Sequence, residues 1–430
     1  MSEAFLHYLW QFQYFDKKEL KTTSGDDLMV FNPGILNVDA GPDFSQSKIK
    51  IDAIEWAGSI EIHVQSSGWM EHGHDQDTAY DNVILHVVWE DDQPVQRKDG
   101  TGIPTVQLKE RVDVQLVHSY LKLINHPSRI PCERSFPHVD DLVKLSMVDK
   151  VVMKRLEGKA NRIHALLKQS NGDWEETTYK LLAGNFGFKV NKEPFIQLAT
   201  ALPYKIIQKH RDQLLQIEAL LFGQAGFLVT KTRDEYISKL YHEYDFLSKK
   251  YSLQASSLNV AMWKFLRLRP SNFPTLRIAQ FASMLQSKKS IFSHLLELKS
   301  YKELQAFFEI VTSDYWKTHY RFGKKRSTFV PSFGSASADI VIINTVVPLL
   351  VAYGKEKDDW NLVEKAVNIL QQIPSEKNKI VSLWKELGYT SKSAFDSQGL
   401  IELFQNFCER RQCLNCSIGS SILKPDASTE

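Results

Sequence analysis

The sequence predicts an α+β protein, with an N-terminal mixed β-sheet module followed by a larger all-α region. Three observations carry this prediction. Alternating or β-branched apolar segments crowd residues 1–115, three prolines (Pro127, Pro131 and Pro137) mark a connector over 116–140, and across 141–430 the apolar period shifts to 3.6. At 430 residues the chain is also too long for a single hydrophobic core.

Each element can be justified in turn. Over Glu3–Phe15 the apolar residues Phe5, Leu6, Leu9 and Trp10 have the spacing of a helix with a broad buried stripe. Leu28–Phe31 is a short apolar run, Lys48–Asp52 alternates with period two, and Ser59–Val64 alternates again, so all three read as strands. Asp77–Asn82 reads as a short helix. Val83–Trp89 is almost continuously apolar and rich in valine, the pattern of a strand buried on both faces. Asp99-Gly100 marks a turn, and Thr105–Leu108 is a last strand. Helices follow over Val143–Lys168, Trp174–Phe186, Pro194–Leu202, Tyr204–Gly223, Thr232–Tyr251, Thr275–Gln286, Ile291–Leu296, Tyr301–Glu309, Ile340–Tyr353, Asp359–Gln372 and Ser391–Cys408. No fixed-period repeat is present, which argues against a solenoid.

Composition narrows the function classes. Hydrophobic residues make up 43% and charged residues 24% of the chain, which excludes global disorder. The longest apolar stretch, Ile340–Ala352, is shorter than the run of about 18 residues that a membrane span needs and contains Asn344 and Pro348. No membrane span is expected. The N-terminal segment has an acid at Glu3 and no basic run ahead of it, unlike a signal peptide, and the expected compartment is the cytoplasm. The net charge of +2 hides an asymmetry: residues 1–110 hold 8 Lys and Arg against 19 Asp and Glu, and the remainder holds 45 against 32. Such a split fits two modules that dock by charge, or a carboxylate-rich cation site next to a surface for polyanions.

The densest chemistry lies between Asn32 and His86. Asp43 follows Gly41-Pro42 at the start of one strand, and Glu61 and His63 stand two apart on the next, hence on one face. If these strands pair as a hairpin, Asp43 approaches Glu61. Two converging carboxylates beside imidazoles suit a divalent cation such as Mg²⁺ or Mn²⁺. His72, His74 and Asp77 form a second set with the spacing of a zinc or manganese site, or of a polar loop that caps the short helix after it. His86, inside an apolar strand, reads as a core histidine, and Trp56 and Trp69 as module core.

The order helix, strand, strand, strand, short helix, strand resembles the PD-(D/E)XK nuclease core. In that family the acids bind the metal and a lysine acts on the attacking water. The resemblance places Asp43 and Glu61 at the two acids and His63 where the lysine stands. It implies catalytic roles for Asp43, Glu61 and His63, with His63 as general base or metal ligand.

The chain has four cysteines, Cys132 in the connector and Cys408, Cys413 and Cys416 as C-x4-C-x2-C near the end. That is the count for a tetrathiolate zinc site, and the spacing is also one used for an iron–sulfur cluster. The layout resembles the iron–sulfur staple of some exonucleases related to recombination and CRISPR-adaptation nucleases, although here the lone cysteine follows the core. Four unrelated buried thiols, or a disulfide pair, are the alternative. Basic residues concentrate at Arg267, Arg269 and Arg277 and again at Lys324, Lys325 and Arg326, with Tyr315, Trp316, Tyr320 and Phe322 just before the second group. Arginines beside aromatics suit nucleic-acid phosphates and bases, or else form a solvated rim over a core stripe.

Across nearly the whole chain the sequence resembles a bacterial family catalogued as domain of unknown function 2851. The segments that carry this are NPGILNVDAGPDF (32–44), WAGSIEIHVQSSGW (56–69), HGHDQDTAYDNVILHVVWE (72–90), GDWEETTYKLLAGNFGFKVN (172–191), EALLFGQAGFL (218–228), RLRPSNFPTLRIAQFA (267–282) and CLNCSIG (413–419). The family has no assigned activity to transfer. Three functions are therefore weighed. The first is a metal-dependent nuclease or phosphodiesterase acting on nucleic acid. The second is an adaptor that binds nucleic acid or protein through a degenerate nuclease core. The third is a metallohydrolase of small phosphorylated or carboxylated metabolites that uses His72, His74 and Asp77.

Overall fold

In the computed structural model the described residues are 1–37, 39–228 and 233–424, and the chain divides into two compact units. The first joins Met1–Met147 to the segment that begins at Leu403; the second is Val148–Glu402. Both differ from the sequence division. The connector 116–140 belongs to the first unit and opens on a helix, α3 (Val114–Ile124), instead of running as a linker. The cysteine-bearing C-terminal segment leaves the helical region and packs in the first unit. Polar contacts show why: the Arg411 guanidinium donates to the carbonyls of Ser128 and His126, both at 2.9 Å, and Arg129 pairs with Glu409 at 2.9 Å.

The first unit is built on a six-stranded mixed sheet. Its strands are β1 (Leu28–Asn32), β2 (Ile35–Leu36), β3 (Phe44–Ile51), β4 (Ile54–Gln65), β5 (Val83–Glu90) and β6 (Thr105–Gln107). The order is β1-β3-β4-β5-β6, with β2 also paired to β3. β1, β3 and β4 are antiparallel neighbours, whereas β4, β5 and β6 are parallel. β5 lies between two parallel partners and buries six consecutive residues, as its unbroken apolar run predicts. β3 and β4 meet at Ile51 and Ile54 through a tight turn with Asp52 at φ 50°, so the expected hairpin forms.

Helix α1 (Glu3–Phe12) starts at Ser2, whose hydroxyl accepts from the Phe5 amide, and buries Phe5, Leu6, Leu9 and Trp10. It stops before the expected Phe15 because Gln13 turns left-handed at φ 55° and sends its amide back to Leu9 and Trp10. A one-turn helix, α2 (Gly68–Glu71), and a 3₁₀ turn, Thr78–Tyr80, bridge β4 and β5.

The second unit is helical around one large apolar core, from Val152 on α4 (Asp141–Gln169) through Phe186, Phe222, Phe281 and Leu350. The expected helix Tyr204–Gly223 is two, Tyr204–Lys209 and Leu214–Gln224, with His210 between them held by Gln216 and Tyr251. Expected residue Thr232 lies outside the described residues; that helix is Glu235–Lys250. Ser335–Lys357 is one continuous helix of 23 residues with a π-helical stretch at Ile342–Val346 ahead of Pro348. The wider turn removes the clash between the proline ring and the preceding carbonyls. By length and composition this helix meets the requirement for a membrane span, contrary to the sequence expectation, and 67% of its most apolar window is buried inside the protein.

Candidate metal centre

The acids and imidazoles singled out in the first unit converge at one end of the sheet. β3 and β4 pair as Phe44 with Ile60, so Asp43 at the mouth of β3 reaches Glu61. The Asp43 amide donates to Glu61 Oε2 at 3.1 Å, and the Ile62 amide donates to Asp43 Oδ2 at 2.9 Å. This reciprocal clasp fixes both carboxylates. On the parallel side Glu61 lies in register with His86, which puts Glu61, His63 and His86 on one face.

The cluster is tight. His63 Nδ1 lies 2.8 Å from His86 Nε2, and His63 Nε2 lies 3.1 Å from His72 Nδ1. Glu61 Oε1 sits 3.7 Å from His63 Nε2 and 3.2 Å from His74 Nε2. Donor atoms of His63, His72 and His74 all fall within 4.8 Å of one another, a spacing at which one metal ion can be shared. His63 and Glu61 are buried, His74 is half-buried and His72 is exposed, so the pocket is closed at the sheet and open at the loop.

Local chemistry explains the placement of the loop histidines. Gly73 turns left-handed at φ 73°, closing α2 with its amide on the Met70 carbonyl, while the His74 amide reaches the Trp69 carbonyl. His72 and His74 then stand on either side of that turn and both face His63. Gly68 packs directly on the His63 ring: a Cβ there would lie 2.8 Å from His63 Cδ2. Trp69, fully buried, walls the pocket edge-on to His74 and His86, and Tyr80 stacks on His74 with centroids 3.8 Å apart.

Burial sets the charge states. It pushes the Glu61 carboxyl up to about 8, with the nearby Asp43 charge adding to the effect. It pushes His63 down to about 3, helped by His86, His74 and His72, and His86 also down to about 3. His74 is lowered by burial and by His72. Buried neutral imidazoles have lone pairs to offer, and a protonated buried carboxyl is a ligand waiting to lose its proton. Three imidazole nitrogens with one carboxylate oxygen suit Mn²⁺, Fe²⁺ or Zn²⁺ better than Mg²⁺, which prefers oxygen.

Asp77 Oδ1 caps the 3₁₀ turn by accepting from the Ala79 amide at 2.9 Å, and its charge also acts on His74; Glu61 Oε1 is the carboxylate oxygen 3.2 Å from His74 Nε2. His86 is buried as expected of a core histidine, and the partner that satisfies it is His63. The sequence reading missed His7 of α1, whose Nε2 lies 3.2 Å from Asp43 Oδ2, although its place one turn after Glu3 on an otherwise apolar helix was a signal. Trp56, taken as core, is 41% exposed.

The four cysteines also come together. All are buried, none forms a disulfide, and all four line one small cavity with Pro131, Phe407, Gln412 and Gly419. Burial raises the Cys132 thiol to about 12 and Cys413 to about 11, and raises Cys408 as well.

The basic residues lie in the second unit. Arg267, Arg269, Lys324, Lys325 and Arg326 are exposed. Arg277 is not: it is 4% exposed, donates to Gln280, Asn272 and Ser337, and lies over the Phe188 and Phe333 rings. Its guanidinium ties the protein interior together and is turned away from solvent. Trp316 is fully buried against Phe222, so that part of the aromatic stripe is core.

A mixed-sheet α+β unit with a histidine–carboxylate pocket at one end, in a chain that also forms a separate helical unit, defines the class of molecule. The chain belongs to the family described as protein of unknown function (DUF2851), whose profile matches residues 3–379. Searches of curated proteins and of solved structures find no match.

Proposed function

We propose that the first unit is a divalent-metal-dependent phosphodiesterase acting on nucleic acid. The observation that carries this reading is the convergence of Glu61 with His63, His72 and His74, with Asp43 at the mouth of the neighbouring strand. The order of helix, three antiparallel strands, short helical turns and parallel strand supports the likeness to the PD-(D/E)XK core, with the acids at the matching places.

Glu61, His63, His72 and His74 would hold the ion, with Mn²⁺ preferred over Mg²⁺ by the donor set. A bound divalent cation polarises a phosphoryl oxygen and acidifies a water. The remaining roles belong to the chain. His86 Nε2, 2.8 Å from His63 Nδ1, would accept its N–H in the tautomer that leaves His63 Nε2 free for the cluster. Asp43, held by the Ile62 amide and approached by His7, can orient a water on the open side. Trp69 keeps solvent from the sheet side, while exposed His72 leaves a path for substrate. The exposed cations Arg267, Arg269, Lys324, Lys325 and Arg326 give the second unit phosphate-binding groups of its own.

The test is direct. Protein loaded with Mn²⁺ should cleave DNA or RNA, Glu61→Ala should abolish the cleavage without altering circular dichroism, and nucleic-acid affinity should fall steeply with salt. Absence of cleavage with the ion bound overturns the reading, and retained binding without cleavage makes the protein an adaptor. A second reading, hydrolysis of a small phosphorylated or carboxylated metabolite, is favoured by the acidic N-terminal segment, whose 19 acids against 8 bases repel a polyanion. Turnover of small phosphate esters without cleavage of nucleic acid supports it.

A further inference from the structure

The four cysteines form a second centre that owes nothing to the imidazole pocket. Every cysteine of the chain lies at the same small cavity, of about 20 Å³, although Cys132 is far from the others in sequence. Each is delivered by a different device. Cys132 follows Pro131 and opens a turn, its carbonyl accepting from the Ser135 and Phe136 amides at 2.9 and 2.8 Å. Cys408 ends the π-helical stretch Leu403–Cys408, which widens the helix and displaces its last residues. Arg411, left-handed at φ 55°, reverses the chain, and the Gln412 amide closes on the Phe407 carbonyl. Cys413 starts a 3₁₀ turn and Cys416 caps the C-terminal helix Ser417–Leu423. Wide turn, reversal and cap bring three sulfurs to face the fourth.

Four buried thiols at one cavity, none paired as a disulfide, are the ligand set of a metal centre. A polynuclear cluster uses such a set because its thiolates ligate different irons across an inorganic sulfide core. The C-x4-C-x2-C run with one distant cysteine is a spacing that such clusters use.

We infer that Cys132, Cys408, Cys413 and Cys416 hold an iron–sulfur cluster that fastens the C-terminal segment to the connector within the first unit. The fastening reaches further than the cluster. The C-terminal helix meets α1 where the Tyr8 hydroxyl approaches both Ser420 oxygens at 3.3 Å, and α1 carries His7 to Asp43. The cluster is thereby a brace behind the helix that flanks the imidazole pocket.

Full-length protein purified without oxygen should be brown, should contain iron and acid-labile sulfide, and should show visible absorption that dithionite bleaches. Zinc without sulfide, or neither metal, in protein purified and then treated with ferrous iron and sulfide overturns the inference. Cys132→Ser should lose iron as Cys416→Ser does, with helical circular dichroism from the second unit retained. Unchanged iron content and spectrum in Cys132→Ser overturns the four-cysteine assignment. Hydrogen exchange should speed up over 1–12 and 417–424 when the cluster is removed. Manganese content in the same samples reads the imidazole pocket separately.

Discussion

The imidazole pocket and the thiol pocket of the first unit differ in how far apart their residues lie in the chain and in how much water they see. Glu61, His63, His72, His74 and His86 come from one strand–turn–strand passage, and the pocket opens at exposed His72. The cysteines come from a connector and a distant C-terminal segment, and all four are buried. Open sites with a solvent-facing edge can exchange ligands and do chemistry; closed sites hold structure. The contrast is the one expected if the first pocket is reactive and the second is a brace, as proposed above.

The sharpest way to break that contrast is to strip each site in turn. Removing the cluster should destabilise the first unit by an amount on the order of 10 kcal/mol if the bare thiols cannot hold the site together. Melting followed by calorimetry should show one transition collapse and the second unit's transition persist. Removing ions from the imidazole pocket should move the melting temperature far less, and equal losses would mean that both sites are structural.

Ligand substitutions come next. Glu61→Ala and His74→Ala should remove measurable Mn²⁺ binding in calorimetric titration. His86→Phe, which leaves every donor in place, should weaken it by about 10- to 100-fold, the usual cost of losing the partner that orients a ligating imidazole. Unaltered affinity in His86→Phe would show that the 2.8 Å contact with His63 orients nothing.

Acidity sharpens the comparison further. The Glu61 carboxyl is held up to about 8 by burial, while His63, held near 3, is already neutral. Ion binding must therefore release about one proton below pH 8, so affinity should fall roughly tenfold per unit as pH drops below that value and level off above it. Without the ion the linkage runs the other way. A carboxyl raised above its ordinary value of 4.5 favours the fold fully below that value, and the contribution is lost as pH rises through about 8. Titrations in buffers of different ionisation enthalpy count the proton, and a count of zero would refute the assignment of Glu61 as a ligand.

The smallest expected effect is at Gly68. Alanine there meets the His63 ring at 2.8 Å, so α2 or the ring must move, at a cost of about 1–3 kcal/mol. Mn²⁺ affinity should drop severalfold while iron at the thiol site stays unchanged. A parallel loss of iron would show that the two pockets are coupled.

Much of the imidazole pocket was legible because its elements are local. Alternation over Ser59–Val64 puts Glu61 and His63 on one face whatever packs around them, and Gly41-Pro42 places Asp43 at a strand mouth. What could not be read was the partner of each group. Whether His86 meets His63 depends on β4 and β5 pairing in parallel, with Glu61 opposite His86, and strand register is a nonlocal choice. Asp77 has the spacing of a ligand and the chemistry of a cap, and that its Oδ1 accepts from the Ala79 amide is visible only in the structure. Arg277 carries the same charge as its exposed neighbours, but helix Pro274–Ser287 turns it inward.

By itself the sequence determined the succession of strand-rich and helical regions, the acid pair with its histidines, and four cysteines with three at ligand spacing. These follow from periodicity, residue type and short spacing, all properties of contiguous chain. Tertiary structure decided that the C-terminal segment closes on the connector, that α1 contributes His7, and that the unit boundary falls at Met147 and again at Leu403. Such contacts join residues from tens to hundreds of positions apart. They form because buried surface and satisfied polar groups reward the pairing only once the whole unit is assembled, and no local pattern encodes that reward.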